Sequence, residues 1–523
     1  MKKLKVKKFK DISKMTNQQL PVNNVFEIFS QICKIPRPSK HEERISQWLQ
    51  SFAAEHGIEC VADEAMNVIM RVPATPGYED HEGVILQAHM DMVCEKNGDV
   101  QHDFMTDPIE TFVDGEWLKA KGTTLGADNG IGISMALAAI TDPELQHPAI
   151  ECLFTVDEET GLTGAMKLQD GMLRAKRLIN LDSEDDGQIF IGCAGGIDTL
   201  AKMHYVPQRF ADLKADDHRP FAVRISVSGL MGGHSGDDIN KGRANANKII
   251  VEFLNIIWKY MDVALCSISG GNLRNAIARE AEAVFVIDER NKEVIRIMWN
   301  EHVARMEAMF GEVEKDMRLE LESCDMPETY LPFSQMSRLL MALNECPHGV
   351  VSMSADMPGL VETSTNLASI KMKSYSEAVL QQSGLTGEAD PAAKRSYFVE
   401  INTSQRSSKE PAKHFIKYVV EASLAIACDE VTHGDGYPGW APNPKSELLE
   451  VVKKAYTDLY HDEPKVLAIH AGLECGLFLE KYPYLDMVSI GPQMYGVHSP
   501  QERLSIPSTE KCYKWLCEVL KAL

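Results

Sequence analysis

Short apolar runs alternate with amphipathic segments in the first part of the chain. Residues 84–88, 150–156 and 178–181 are mostly apolar, and helical periodicity predicts a helix over 131–140. Apolar runs that are separated by helices are typical of a parallel sheet buried on both faces. The pattern returns near the C-terminus, where we predict a helix, a strand and a helix over 448–460, 466–469 and 473–479. These two parts of the chain therefore predict an α/β domain.

The middle of the chain follows a different pattern. Alternating polar and apolar residues predict strands at 222–228, 283–287 and 397–401. Helical periodicity predicts long helices at 244–260, 294–317 and 411–427. The segment 433–444 is rich in Gly and Pro and indicates a linker. We therefore predict a discontinuous α/β domain over 1–213 and 441–523, interrupted by an inserted α+β domain over 214–440.

A further helix is predicted before the first apolar run. Ser39 and Glu42 have the spacing of a capping box, in which two side chains bond the free backbone groups of the first turn. Apolar residues repeat at helical intervals after them, and Gly57 is a typical helix stop.

Histidines and carboxylates lie at the ends of the apolar runs. They are His89 and Asp91, Asp128, Glu158 and Glu159, Asp182, His234, and His470. Ionisable groups are costly beside buried strands unless they are compensated, and a divalent metal compensates several at once. Because ligands of parallel sheets bind at the carboxyl ends of the strands, one sheet edge can bring most of these residues together.

Two histidines and three carboxylates suit zinc, with manganese or cobalt as alternatives. Five ligands exceed the four of one tetrahedral zinc, which favours a two-metal site with one shared carboxylate. One of the neighbours Glu158 and Glu159 can bind metal while the other accepts a proton from water. Asp91 lies two residues after His89, on the same side of a strand, and is placed to orient the imidazole.

Composition and charge exclude several classes of protein. With 523 residues, the chain predicts two domains or more. Its net charge of −22 repels phosphate backbones and argues against a nucleic-acid partner. No apolar stretch is long enough for a membrane span. The twelve cysteines form no CxxC pair, which predicts reduced thiols and a cytoplasmic protein.

The first ten residues carry six lysines, and no apolar segment follows them. We expect a solvated tail or an over-extended start rather than a signal peptide. Other chemistries lack their motifs: the sequence has no phosphate-binding GxxxxGK[ST] or GxGxxG, and the glycines around Ser235 do not fit a GxSxG elbow.

Taken in order, the strings HMD, GADNG, DEE, LDSE, GGHSG and HAGLECG resemble a known family. It is the dizinc exopeptidase family of aminoacylases, peptidase T and carboxypeptidase G, and the resemblance is strongest to its aminoacyl-histidine dipeptidase (Xaa-His dipeptidase, peptidase D) branch. It extends from about residue 24 to 523. It implies a three-layer catalytic domain with a mostly parallel sheet, an inserted lid and dimerisation domain, two zinc ions per subunit and a homodimer.

The resemblance also implies roles for individual residues. Asp128 would bridge the two zinc ions, Glu159 and His470 would complete one site, and His89 and Asp182 the other. Glu158 would be the general base, Asp91 would orient His89, and His234 would polarise the scissile carbonyl from across a dimer interface. Substrate contacts are expected from Asn275, Asn366 and Arg406, with Arg406 binding a free carboxylate. His498 is expected to be structural.

The resulting hypothesis is a cytosolic metallodipeptidase. It would hydrolyse Xaa-His and related dipeptides, including β-alanyl-histidine, through a metal-activated water, with lid closure as part of turnover. Two alternatives within the family are an N-acyl amino acid deacylase and a tripeptide aminopeptidase. A non-catalytic, metal-stabilised binding protein is a further alternative. The pair Glu158–Glu159 argues against it, because a structural zinc site closes four ligands and needs no base.

Overall fold

The computed structural model describes residues 23–212, 219–374 and 397–523. The lysine-rich start and the expected domain boundary at 213–214 lie outside these residues. The chain divides into two compact units. The first unit contains the described residues up to Cys193 together with Trp440–Ala468 and Leu473–Leu523, and the second contains the described residues of Ala194–Gly439 together with Ile469–Gly472.

The strands before the second unit are β1 (Glu59–Ala62), β2 (Val68–Val72), β3 (Val84–His89), β4 (Thr111–Asp114), β5 (Trp117–Ala120), β6 (Ile150–Thr155), β7 (Arg177–Asn180) and β8 (Gln188–Cys193). Those of the second unit are β9 (Gly195–Tyr205), β10 (Gln208–Arg209), β11 (Pro220–Ser228), β12 (Ala264–Gly270), β13 (Ala281–Asp288), β14 (Arg318–Ser323), β15 (Thr329–Tyr330), β16 (Gly349–Met353), β17 (Val361–Ser374), β18 (Tyr397–Ser407) and β19 (Glu430–His433). The last are β20 (Lys465–Ile469), β21 (Asp486–Ser489), β22 (Met494–Tyr495) and β23 (Arg503–Ser505).

The helices of the first unit before the inserted segment are α1 (Asn23–Ile32), α2 (Glu43–His56), α3 (Ala127–Ile140), α4 (Glu158–Gly161) and α5 (Thr163–Lys167). The second unit contains α6 (Ala246–Ile257), α7 (Lys292–Phe310), α8 (Phe333–Glu345) and α9 (Glu410–Leu424). The chain ends with α10 (Glu447–Tyr460), α11 (Cys475–Lys481) and α12 (Ile506–Ala522). None of the helices in the described residues is long and apolar enough to cross a membrane.

The first unit is built on an eight-stranded sheet in the order β1-β2-β6-β3-β7-β21-β8-β20. Its centre is parallel, because β3 pairs in parallel with both β6 and β7, and β7 with β21. Strands β1 and β2 are antiparallel at one edge. Every residue of β3 and β6 is buried, as these mostly apolar runs predicted. The parallel centre places the carboxyl ends of β3, β6 and β7 at the same edge.

The second unit is built on an antiparallel sheet in the order β14-β11-β13-β12-β17-β18-β9-β19, with β16 paired to β17. Its core includes apolar residues of the sheet and of α6–α9, among them Ile250, Phe253, Leu340 and Val420. Strand β9 pairs with β18 along its whole length, from Gly195 opposite Ser407 to Tyr205 opposite Tyr397. Because β9 belongs to this sheet, the second unit includes residues that we expected in the first domain.

The start of α2 differs from the predicted capping box, whereas its end is confirmed. No side chain caps the first turn of the helix. Ser39 donates instead to the carboxylate of Asp91, and Glu42 accepts from the backbone N–H of Lys40 and Asp157. The capping box is therefore wrong, because both side chains bond partners outside the helix. Gly57 has a φ of 69° and ends the helix in the left-handed conformation that glycine favours.

Candidate metal centre and active site

The carboxyl ends of three neighbouring parallel strands carry the predicted acids and a histidine. Strand β3 ends at His89, β6 leads to Glu158 and Glu159, and β7 leads to Asp182. The His89 Nε2 lies 2.9 Å from Asp128 Oδ1 and 3.3 Å from Asp182 Oδ1. Side chains that are distant in sequence therefore meet at one edge of the sheet, as the parallel pattern predicted.

The Asp128 carboxylate lies between two imidazoles. Its Oδ1 faces His89, and its Oδ2 lies 3.1 Å from the Nε2 of His498. The same Nε2 lies 3.0 Å from Glu159 Oε2. Two sets of donor atoms within 4.8 Å of one another therefore share Asp128: one with His89 and Asp182, the other with Glu159 and His498. A third set joins His89 with Glu158 and Glu159.

His498, which we expected to be structural, contacts two of the candidate ligands. It has a φ of 61°, and its side chain is 52% exposed. Glu502, four residues later, accepts hydrogen bonds from the backbone N–H of Leu125 at 2.7 Å and Ala127 at 2.8 Å, and so holds the turn before Asp128. The signal was a histidine and a glutamate in the string GVHSPQE, close after strand β22.

His470 is not among these three sets of donor atoms and belongs to the second unit. Its Nε2 lies 2.8 Å from the hydroxyl of Ser364, and its Nδ1 is buried without a hydrogen-bond partner in the described part of the chain. Burial, reinforced by the charge of Arg406, lowers the pKa of His470 to about 4. Among the described residues, His498 shares a set of donor atoms with Glu159, and the expected pairing of Glu159 with His470 stays a prediction.

The Asp91 carboxylate links the histidine to the two adjacent glutamates. Its Oδ1 lies 3.2 Å from His89 Nδ1 and accepts the backbone N–H of Glu158 at 3.0 Å. Its Oδ2 accepts the backbone N–H of Glu159 at 3.2 Å and the hydroxyl of Ser39 at 2.7 Å. This distance is short enough for Asp91 to orient the imidazole, and that role stays a prediction.

The second unit has its own polar cluster. The Arg406 guanidinium is buried, and its Nη1 donates to the Tyr437 hydroxyl at 3.0 Å. Its Nη2 lies 3.4 Å from the Nε2 of His234, and the Nδ1 of that ring lies 3.3 Å from Asp237 Oδ2. The structure therefore places the predicted residues His234 and Arg406 side by side.

The two predicted asparagines also lie in the second unit. The Asn366 amide donates to the backbone carbonyl of Ala276 at 2.8 Å, and its Oδ1 is buried without a hydrogen-bond partner in the described residues. Asn275 accepts the backbone N–H of Ser235 through its own carbonyl at 2.8 Å. One asparagine thus keeps a free acceptor, and the other holds the loop that carries His234.

The sequence model of peptidase family M20/M25/M40 matches residues 85–522 of the chain. The chain belongs to this family. Over 509 residues it is 38% identical to the cytosol non-specific dipeptidase of Escherichia coli strain K12, a match that covers 97% of this chain and 98% of the relative. The expected membership of the exopeptidase family and the expected peptide-hydrolase activity are confirmed.

Solved structures agree with this M20 fold. The aminoacylhistidine dipeptidase of Vibrio alginolyticus is similar over 98% of both chains, with a TM-score of 0.86 and 37% identity. The aminopeptidase PepT of Bacillus cereus ATCC 10987 has a TM-score of 0.56 and 15% identity over 95% of this chain and 98% of that chain. The predicted α/β fold with an inserted α+β domain is confirmed.

The pKa shifts of the candidate ligands in this M20 peptidase are those expected of a cation site. Burial opposes ionisation of Asp128, yet hydrogen bonds from His498 and His89 hold its pKa below the usual range. Hydrogen bonds to Asp128 and Glu159 raise the pKa of His498 to about 11. Burial raises the pKa of Glu158 well above its ordinary value, against the attraction of His89. The carboxylates around His498 thus favour positive charge at this position.

The donor set fits divalent metal ions. It consists of carboxylate oxygens and imidazole nitrogens, which zinc, manganese and cobalt accept. The Oε1 of Glu159 is buried and has no hydrogen-bond partner among the described residues. A buried carboxylate oxygen without a partner is costly, and a cation would compensate it. The residues present therefore fit a dinuclear metal centre, and His498 lies beside both Asp128 and Glu159.

Proposed function

We propose that this M20 peptidase is a dipeptidase that hydrolyses Xaa-His and related dipeptides, including β-alanyl-histidine. The observation that carries the proposal is the Asp128 carboxylate, which lies between His89 and His498 with a further carboxylate beside each histidine. The relatives support the choice of substrate, since one is named a non-specific dipeptidase and the other an aminoacylhistidine dipeptidase.

The metals would be two zinc ions, with manganese or cobalt as alternatives. His89 and Asp182 would hold one ion, Glu159 and His498 the other, and Asp128 both. This proposal replaces His470 by His498, which lies beside both Asp128 and Glu159. The ions would supply Lewis-acid activation of water and of the scissile carbonyl.

Glu158 would be the general base. Its neighbour Glu159 is a proposed ligand, and Asp91 holds the backbone N–H groups of both residues. The carboxylate would accept the proton of the attacking water and pass it to the leaving amine. Burial raises the pKa of Glu158, which makes its carboxylate a stronger acceptor for the proton of water.

Substrate binding would fall to the polar cluster of the second unit. Arg406 would bind the free carboxylate of the dipeptide, because its planar guanidinium can bond both oxygens. His234 would donate to the developing oxyanion, with Asp237 orienting the ring from 3.3 Å. Asn366 would offer its free Oδ1 to a substrate N–H, and Asn275 would support the loop of His234.

The proposed assembly is a homodimer, with His234 acting on substrate in the neighbouring subunit. Helix α9 supports an apolar contact, since Phe415, Tyr418 and Val419 are exposed at helical spacing on one face. We also propose a cytosolic location, which the twelve free cysteines and the name of the Escherichia coli relative support.

A substrate panel tests the dipeptidase proposal. After reconstitution with zinc, we expect kcat/KM for Ala-His and β-alanyl-histidine to exceed that for N-acetyl amino acids and tripeptides by roughly 10²-fold. The metal-free protein is the control. Faster cleavage of N-acetylhistidine would assign a deacylase, and faster cleavage of Ala-Ala-His would assign a tripeptide aminopeptidase. A zinc-bound protein that cleaves none of these would favour a non-catalytic binding protein.

Replacing Arg406 with methionine tests the carboxylate contact. We expect KM for Ala-His to rise about 10- to 100-fold, because a charge-assisted hydrogen-bond pair is lost, while KM for the dipeptide amide changes little. Arg224→Met is the matched control, since Arg224 makes a surface ion pair with Glu322 in the same unit. An equal rise for the dipeptide and its amide would contradict carboxylate binding by Arg406.

A further inference from the structure

Residues 37–42, here called the Arg37–Glu42 segment, contact three loops of the metal centre. The segment precedes α2 and lies before the residues matched by the family model. The side chains of Arg37, Ser39 and Glu42 each bond a group of the first unit outside the helix that follows. The loops that they contact are distant from one another in sequence, and each loop carries a proposed metal ligand or the proposed base.

Arg37 joins the loop after β3 to the turn before Asp128. The side chain is 2% exposed, and its Nη1 donates to the backbone carbonyls of Met90 at 2.9 Å and Asp91 at 2.6 Å. Its Nη2 donates to the carbonyl of Gly126. One rigid guanidinium therefore bonds the backbone next to His89 and the backbone two residues before Asp128.

The glycines of the Asp128 turn make room for this guanidinium. A Cβ on Gly126 would lie 2.5 Å from Arg37 Nη2, and a Cβ on Gly130 would lie 2.8 Å from the same atom. Gly126 also has a φ of 68°, which side chains rarely tolerate. The sequence GADNG thus provides close packing against Arg37 as well as the turn itself.

Ser39 and Glu42 reach the loops of Asp91 and of the two glutamates. The Ser39 hydroxyl donates to Asp91 Oδ2 at 2.7 Å. Glu42 Oε1 accepts the backbone N–H of Asp157 at 3.0 Å, immediately before Glu158. Its other backbone partner is the N–H of Lys40 at 2.9 Å, within the segment itself.

We propose that Arg37, Ser39 and Glu42 are positioning residues that fix the loops of His89, Asp128 and Glu158–Glu159 relative to one another. This inference rests on the proposed metal-dependent function of the same site. A buried guanidinium is costly to desolvate, and an apolar side chain would serve stability alone equally well. Its three carbonyl partners lie outside strands and helices, so the segment supplies the order that secondary structure does not.

The test compares Ser39→Ala and Arg37→Lys with the wild type after loading with Co²⁺. We expect each variant to bind Co²⁺ about 10- to 100-fold more weakly and to lose a similar factor in kcat, with little change in KM. The visible absorption bands of bound Co²⁺ should shift, because the ligand geometry changes. Ser39→Thr keeps the hydroxyl and should restore wild-type values. Arg44→Met is the matched control, since Arg44 donates to the carbonyl of Met105 in an exposed position.

The outcomes separate this inference from the function on which it rests. A wild type that binds no Co²⁺ or hydrolyses no dipeptide would contradict the proposed function. A wild type that does both, with Ser39→Ala and Arg37→Lys unchanged in kcat and spectrum, would contradict only the positioning role. Variants that lose thermal stability but keep kcat and spectrum would assign the segment to folding and overturn the proposal. Should Arg37→Lys not fold, Ser39→Ala decides alone, because it removes a single hydroxyl.

Discussion

Replacing Glu158 with alanine should reduce kcat by about 10³-fold or more while the protein still binds two metal ions. A general base and acid contributes roughly 10²- to 10⁴-fold to a hydrolytic rate. The two donor sets that share Asp128 do not require Glu158, so metal binding should survive. The measurement is kcat for Ala-His together with the metal content per chain after reconstitution.

Two companion variants make the result for Glu158 specific. Glu158→Gln keeps the size of the side chain but cannot accept a proton, and should lose the same factor in kcat. Glu159→Ala should instead lose metal, since Glu159 Oε2 belongs to the donor set of Asp128 and His498. Near-normal turnover in Glu158→Ala would show that Glu158 is not the general base. Loss of one metal ion in Glu158→Ala would instead identify Glu158 as a metal ligand. Its oxygen does lie in a set of donor atoms with His89 and Glu159.

The sheet of the first unit was predictable because burial on both faces leaves a direct trace in the sequence. Strands β3 and β6 are buried at every residue and are therefore mostly apolar, and ionisable site residues lie where the apolar residues end, with His89 at the end of β3 and Glu158 and Glu159 after β6. The approximate positions of His89, Glu159 and Asp182 followed from the ends of these buried strands, whereas Asp128 was marked by the glycine-bracketed turn before α3. Pairing partners leave no such trace. Strand β9, which pairs with β18 in the second unit, could not be assigned from its own residues.

The residues that support the metal centre were hidden for a different reason. Ser39 and Glu42 have the spacing of a capping box. Local sequence cannot show that Asp91 and the backbone of Asp157 are their partners in place of the first turn of α2. Arg37 lies between two prolines, where a charged residue usually predicts an exposed position. Only the fold shows that three backbone carbonyls surround its guanidinium. Long-range hydrogen bonds of this kind leave no periodic pattern in the sequence, so they cannot be predicted from it.

The choice between His470 and His498 illustrates the same limit at the metal centre itself. Both histidines follow strands in the last part of the chain, after β20 and β22 respectively. Both are flanked by short, glycine-containing segments, so neither spacing nor composition separates them. The structure distinguishes them by their partners. His470 faces a serine hydroxyl, whereas His498 lies between two carboxylates.

Replacing these histidines with alanine should therefore affect metal content differently. We expect His498→Ala to bind one metal ion per chain instead of two and to lose about 10³-fold or more in kcat, because it removes a ligand from the set with Asp128 and Glu159. His470→Ala should keep both ions. Burial holds the pKa of His470 near 4, so it is neutral at pH 7 and its loss leaves no buried charge unpaired.

Metal content, measured after dialysis against a fixed zinc concentration, separates these two variants independently of turnover. His470→Ala is the matched control for His498→Ala, since each removes one imidazole from the same part of the sequence. Its kcat can still fall, because His470 neighbours the polar cluster of Arg406. Loss of an ion in His470→Ala, with both ions kept in His498→Ala, would restore His470 as the ligand. That result would require a rearrangement in which the Glu159 carboxylate leaves His498, whose Nε2 lies 3.0 Å away in the present structure.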